Sequence, residues 1–189
     1  MRSMPYNVPI LRRLWTGDSA SQMVEFAVSL PLLIVMVVGI FDFSGAYTLK
    51  QKLANAAREG ARAAAADPAT DLANGGTPAS VSDAFQVVDN YLQAEQINDC
   101  GINPGSGSQA ALTWTFTATA GACNLSLAIN RGFATKTVGP PSVNAIGTQV
   151  TIQYAYKWHF NSVITVLVPG SSYSGTTTLN SSSVALNEN

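Results

Sequence analysis

Between Glu25 and Asp42 the sequence FAVSLPLLIVMVVGIF contains no charged residue, and Met23, Val24 and the stretch from Phe43 to Leu49 extend this apolar run on both sides. A bilayer core of about 30 Å needs about 20 apolar residues at about 1.5 Å per residue, and a helix over residues 21–47 supplies them. The density of Val, Leu, Ile and Met leaves no polar face, which favours a membrane span over a buried core helix. A cleaved secretory signal is a third reading, since Arg12 and Arg13 precede the run. Its apolar core would be too long, and Gly39 to Ala46 makes a poor small-residue cleavage site, interrupted by Asp42 and Phe43.

The helical period continues beyond the apolar run. Phe43, Ala46, Leu49 or Lys50, Leu53, Ala57, Gly60 or Ala61, and Ala64 recur every three or four residues. One helix is therefore expected to run through both segments until Asp67-Pro68, because the residue before proline avoids helical geometry. It would be a rod of about 45 residues, on the order of 70 Å long, half in lipid and half outside. Pro31 removes one intrahelical hydrogen bond and is expected to kink the membrane half.

After a loop from Pro68 to Ala79, Ser80 followed by Asp83 predicts an N-cap and a helix to about Gln96, with Val81, Phe85, Val88 and Leu92 on one face. Strands follow. Leu112, Trp114, Phe116 and Ala118 alternate with Thr113, Thr115, Thr117 and Thr119, and Cys123, Leu125, Leu127 and Ile129 repeat the alternation. Val150, Ile152, Tyr154, Tyr156 and Trp158 share another face, and Leu179 to Leu186 reads as an edge strand. Helices followed by strands predict an α+β fold in which a small antiparallel sheet covers one helix face. The apolar run Phe160 to Val168 is too short to span and is ended by Pro169-Gly170; it reads as a buried strand or as a surface used by a partner, with core the simpler use. The chain thus divides into an N-terminal leader or cytoplasmic tail (1–20), a membrane helix (21–47), its extracytoplasmic continuation (48–66) and a head domain (67–189).

Composition narrows the chemistry. Of 189 residues only 11% are charged, and the net charge is −1, so no basic excess exists to hold nucleic acid. One histidine, His159, and two cysteines do not make a zinc site of the usual kind, and no cofactor is implied. The sequence shows no Gly-x-Ser-x-Gly elbow, no phosphate-binding loop and no supported carboxylate pair, so no enzymatic activity is expected. His159 beside Trp158 and Phe160 reads as a structural histidine rather than a catalytic base. Arg2, Arg12 and Arg13 precede the span while Lys50, Lys52, Arg58 and Arg62 follow it, so charge bias leaves the orientation open. A low-charge, Ser/Thr/Asn-rich segment from Thr70 onward with two cysteines suits an oxidising compartment and places the head outside the cytoplasm. A Cys100–Cys123 bridge is favoured over free thiols and would tie the loop Gly101 to Ser108 to the sheet, contributing about 3 kcal/mol in the chain-entropy model.

Several side chains are candidates for function. Glu25 at the start of the span is costly in lipid unless neutralised, and it reads equally as a functional carboxylate or as a headgroup-level residue favoured by the helix dipole. Asp42 marks the outer boundary, where hydration costs less than a buried pair. Arg58, Glu59 and Arg62 form the charged group of the stalk, with Glu59 and Arg62 spaced to pair. Gly60, Ala61, Ala63, Ala64 and Ala65 allow close packing, within the subunit first and between subunits second.

The run VEFAVSLPLLIVMVVGIFDF from Val24 to Phe43, followed by LANAAREGARAAA from Leu53 to Ala65, resembles the TadE-like family, minor pilins or pseudopilins of bacterial tight-adherence (Tad/Flp) pilus systems. The resemblance rests on the Glu-Phe entrance, the proline inside the run, the Gly-x-x-Asp-Phe exit and the Ala-Arg-Glu-Gly-Ala-Arg helix, with a late Val-x-Ile-x-Tyr-x-Tyr strand at Val150 to Tyr156. It implies a subunit of a type IV-like pilus, held in the bacterial inner membrane or carried into the extracellular filament. The implied partners are the lipid bilayer, other pilin or minor pilin subunits and the pilus assembly machinery. It further implies that Glu25 meets the N-terminal amine of a neighbouring processed subunit and so sets register. Processing by a prepilin peptidase would place Glu25 fifth in the mature chain if the cut falls between Ala20 and Ser21. Such sites usually carry glycine before the bond; the nearest, Gly17, would place Glu25 eighth. An uncleaved anchor is the alternative. A membrane-tethered binding or adhesion domain that does not polymerise is the second functional class.

Overall fold

A computed structural model describes residues 18–73, 76–136, 144–160 and 175–187. The leader residues Arg2, Arg12, Arg13 and Gly17 and most of the apolar run 160–168 lie outside the described residues. The chain forms two compact units, one of residues 1–43 with 159–172 and the other of residues 44–158 with 173–189. A single helix, α1 (Asp18–Ala66), belongs to both. Pro31 lies within it, where its missing N–H leaves the Ala27 carbonyl without the usual helical donor.

In the first unit, no side chain from Ser21 to Phe41 is buried, and Met23, Phe26, Val28, Leu32, Met36 and Ile40 are each more than 60% exposed. This is the helix segment long and apolar enough to cross a membrane.

In the second unit, α1 from residue 44 onward packs beneath a five-stranded antiparallel meander in the order β1 (Ser108–Ala110), β2 (Thr113–Ala120), β3 (Cys123–Lys136), β4 (Asn144–Lys157) and β5 (Thr176–Leu186). The fold is α+β. Alternation places Trp114, Phe116 and Ala118 of β2 on the same face as Leu125, Leu127 and Ile129 of β3 and Val150 and Ile152 of β4, all buried, while the intervening threonines look outward. On α1 the buried stripe is Ala46, Leu53, Ala56, Ala57, Gly60, Ala61 and Ala64. Phe43, expected on this stripe, belongs to the first unit and is 70% exposed.

The second helix, α2 (Ala79–Ala94), buries Val81, Ala84, Phe85, Val88 and Leu92 against the same core. Its start corrects the sequence expectation. The N-cap position is Pro78, and the N–H of Ser80 is capped from a distance by Asp71 Oδ2 at 2.9 Å. Asp71 sits on a 3-10 turn (Ala69–Ala73), so the anionic partner that a helix N-terminus favours comes from the preceding turn and Ser80 itself is buried. The two helices touch at Gly60, where an added Cβ would come within 2.6 Å of Val88 Cγ2 and 3.4 Å of the Ala84 carbonyl oxygen. Lys52 and Glu95 form an ion pair at 3.0 Å farther along the same contact.

Cys100 and Cys123 form a disulfide with their Cα atoms 5.5 Å apart. The bridge fastens the loop after α2 to the first residue of β3. That loop is folded on its own side chains: Asn98 Oδ1 accepts from the Cys100 N–H and Asp99 Oδ1 from the Gly101 N–H, both at 2.9 Å.

The least expected core residue is Arg131, on β3 and 1% exposed. It donates through Nη1 to the Ala64 carbonyl and to Thr148 Oγ1 at 2.9 Å, and through Nη2 to the Asp67 carbonyl at 3.0 Å. Ala64 lies in the last turn of α1, whose final carbonyls have no helical donors. A strand guanidinium therefore closes the C-terminus of the helix, with favourable charge at its negative end. Burial pulls the Arg131 pKa below its usual value, and the charges of Asp71 and Asp67 oppose that. The pairing register of β3 with β4 shifts between Asn130 and Phe133, and Arg131 falls within that irregularity.

Three outcomes follow for the full chain in detergent, read by thermal unfolding. Gly60→Val should destabilise the head by about 1–3 kcal/mol, because the added bulk meets a β-branched side chain and a carbonyl. Arg131→Ala should cost about 3 kcal/mol by orphaning the carbonyls of Ala64 and Asp67. Replacing both cysteines by serine should cost about 3 kcal/mol; unchanged unfolding in any of the three would contradict the corresponding contact.

Candidate functional site

The candidate functional surface is α1 itself, built from the residues that its own unit does not consume. At the entrance, Ala20 and Ser21 lie in the helix, one turn before Glu25. Glu25 is exposed and forms no ion pair among the described residues. The Ser29 hydroxyl donates to the Glu25 backbone carbonyl at 2.5 Å, a local contact that leaves the carboxylate available.

At the exit, the structure differs from the hydrated boundary expected of Asp42. Its side chain is 3% exposed, and the carboxylate is held by residues far along the chain. The Phe160 backbone N–H donates to Asp42 Oδ2 at 2.7 Å, and His159 Nδ1 lies 3.3 Å from Oδ1. The Phe160 ring lies 3.9 Å from the point where Gly39 would carry a Cβ. Gly39 and Asp42, one turn apart, thus make a notch: the glycine leaves room for the ring and the carboxylate takes the backbone donor. Partnering offsets the cost of removing the carboxylate from water, which is why burial is tolerated here. His159 is itself largely exposed, with a side-chain accessibility of 81%, and so serves as the outer wall of the notch.

Along residues 44–66 the exposed stripe is Ser44, Tyr47, Gln51, Asn55, Arg58, Glu59 and Arg62. Glu59 and Arg62 approach to 3.6 Å, with both side chains about half exposed or more. An exposed pair of this spacing contributes only about 0.3–0.5 kcal/mol. Gly60, within the same motif, points the opposite way, into the contact with α2. The motif Arg58-Glu59-Gly60-x-Arg62 therefore has two duties, packing the head and presenting charge outward. The disulfided cysteines Cys100 and Cys123 lie at the sheet and contribute to the stability of the head rather than to this surface.

Among the described residues no cluster of His, Cys, Asp or Glu has the geometry to hold a metal ion. Sequence reasoning missed the partners of Asp42 and the whole of Arg131. The only available signal for Arg131 was the Asn130-Arg131-Gly132 break in an otherwise alternating strand.

Residues 20–62 match the family model described as TadE-like protein, which spans the apolar run and the stalk motif as far as Arg62. No curated protein and no solved structure matches the chain. Over residues 20–62 the chain is thus similar to the TadE-like family.

Proposed function

We infer that the chain is a minor pilin or pseudopilin that acts in assembly of a Tad/Flp pilus. The observation that carries this reading is that one continuous helix presents an apolar half with no buried side chain from Ser21 to Phe41 and then, without a break, a half that packs a folded head. An apolar helix surface of this kind is at home in lipid and equally at home against other apolar helices. A subunit can therefore leave the membrane for a helix bundle without exposing that surface to water. The TadE-like match over the same residues supports the pilus as the destination.

In this reading the protein is a single-pass protein of the bacterial inner membrane, with residues 67–189 outside the cytoplasm, where the Cys100–Cys123 bridge is chemically favoured. A prepilin peptidase removes residues 1–20, and the new amine of Ser21 meets the Glu25 carboxylate of a neighbouring subunit. That Glu25 is exposed and has no ion-pair partner among the described residues supports that role. Its partners are lipid and other pilus subunits, and it performs no catalysis.

Two measurements test the reading. The native protein should sediment with membranes, resist alkaline carbonate and appear in, or be required for, the sheared filament fraction; a freely soluble chain would overturn it. Mass spectrometry of the native N-terminus should give Ser21, whereas Met1 would show a fixed anchor and remove the register role of Glu25.

A further inference from the structure

The sheet of the second unit runs alongside α1, and contacts at two glycines fix the direction of β4. An added Cβ at Gly60 would lie 3.8 Å from Val150 Cγ1, and one at Gly45 would lie 3.0 Å from the Tyr156 hydroxyl oxygen. From the first contact to the second, α1 is followed backwards over fifteen residues, about 22 Å, while β4 advances six, about 20 Å. The two lengths agree, so β4 is antiparallel to α1 and carries Tyr156 back to the level of Gly45. Trp158, two residues on, continues toward the N-terminal end of α1 by about 7 Å.

This end of the sheet is aromatic. The rings of Tyr156 and Trp158 meet edge to face with centroids 5.0 Å apart, and both residues are partly exposed. The Trp158 backbone N–H donates to the Gly175 carbonyl at 2.9 Å and its indole N–H to Thr177 Oγ1 at 2.7 Å, which ties the ring to the start of β5. Tyr47 of α1 is 65% exposed. Two residues after Gly45 it lies about 200° round the helix and about 3 Å along it, so tyrosines stand on both sides of α1 at one level. Residues 44–50, 153–158 and 176–181 include two exposed lysines, Lys50 and Lys157, and no acidic residue. Glu95 and Asp99, which follow α2, are engaged within the head by Lys52 and by the Gly101 N–H.

We propose that Tyr47, Tyr156 and Trp158 form a lipid-binding rim that seats the head in the phospholipid headgroup layer. The occupant follows from continuity with the helix segment able to cross a membrane, whose apolar run ends at Phe43, one helical turn before Tyr47. A bilayer that holds that segment places its headgroup layer at the level of the rim. Tyrosine and tryptophan suit this layer, because each joins an apolar ring to a polar edge where hydrocarbon meets water. Lys50 and Lys157 bring positive charge toward lipid phosphate. The inference rests on the membrane reading above and adds to it a fixed seat for the head. A subunit leaving the bilayer would then exchange lipid for protein at this rim as well as along the apolar helix.

The test uses the full chain carrying W15F and W114F, which leaves Trp158 as the sole tryptophan, in vesicles of phosphatidylcholine and phosphatidylglycerol. Its fluorescence is read against nitroxide-labelled lipids. A label near the glycerol backbone should quench Trp158 roughly threefold more strongly than a label at the acyl-chain end, and acrylamide should reach the ring poorly. The control places Ile146→Trp, with W158F, at the other end of β4, where Ile146 is 61% exposed; acrylamide should quench it and neither lipid label should. A chain that floats with the vesicles while Trp158 ignores both lipid labels would overturn the proposal and leave the membrane reading intact. Stronger quenching by the deep label, or equal quenching at positions 146 and 158, would also overturn it. A chain that does not float would sink both readings. If W114F unfolds the head, the difference between the native chain and W158F reads the same ring, since Trp114 is 3% exposed.

Discussion

The structure depends on the continuity of one helical backbone through a change of surroundings. Within a bilayer every peptide group must find its partner inside its own segment, and an α-helix meets that condition along its whole length. α1 is one helix from Asp18 to Ala66, interrupted in this pattern only at Pro31, so its membrane-capable half and its packed half differ in side chains rather than in backbone. Valine, leucine and phenylalanine cover the first half; alanine and glycine line the packed face of the second. Small residues bring the sheet and α2 close to the α1 backbone, and at Gly60 an added Cβ would displace Val88.

Two buried polar groups anchor α1 to other parts of the chain. Arg131 caps the C-terminal carbonyl groups of α1 from a strand, joining helix and sheet by charge-assisted hydrogen bonds. Asp42 does the converse: it offers an acceptor from the helix to the backbone N–H of Phe160. Both groups are nearly inaccessible to water. A buried ionic group is strongly destabilising when its partners are removed, so both contacts pin the chain to one arrangement within their own units.

Much of this was legible in the sequence because it is written in local periodicity. The charge-free run gave the exposed helix, the three-and-four spacing carried it to Ala66, and Thr/apolar alternation located β2 and the first half of β3. What was not legible depends on residues distant in sequence. Asp42 reads as a hydrated boundary residue because its partners lie 117 and 118 positions away. Ser80 reads as a cap because Ser-x-x-Asp is a local signature, whereas the actual acceptor, Asp71, lies nine residues upstream on another element. Arg131 lies beyond the alternation that ends at Ile129, and its position in the core coincides with the register shift between Asn130 and Phe133. The motif around Gly60 was half legible: its small residues predicted close packing, but which charges remained outside required the direction of α2.

The central claim is that the first half of α1 lies among acyl chains while the same helix continues into water. Site-directed nitroxide scanning tests it most directly, on the full chain in lipid vesicles, since the described native cysteines are both engaged in the disulfide. Labels replacing Val28, Leu32, Met36 and Ile40 should be reached by oxygen and shielded from a water-soluble relaxing agent, with depth varying smoothly along the helix, while labels at Gln51 and Asn55 should show the reverse. Water accessibility at position 32 or 36, or immobile labels there shielded from both agents, would contradict the account.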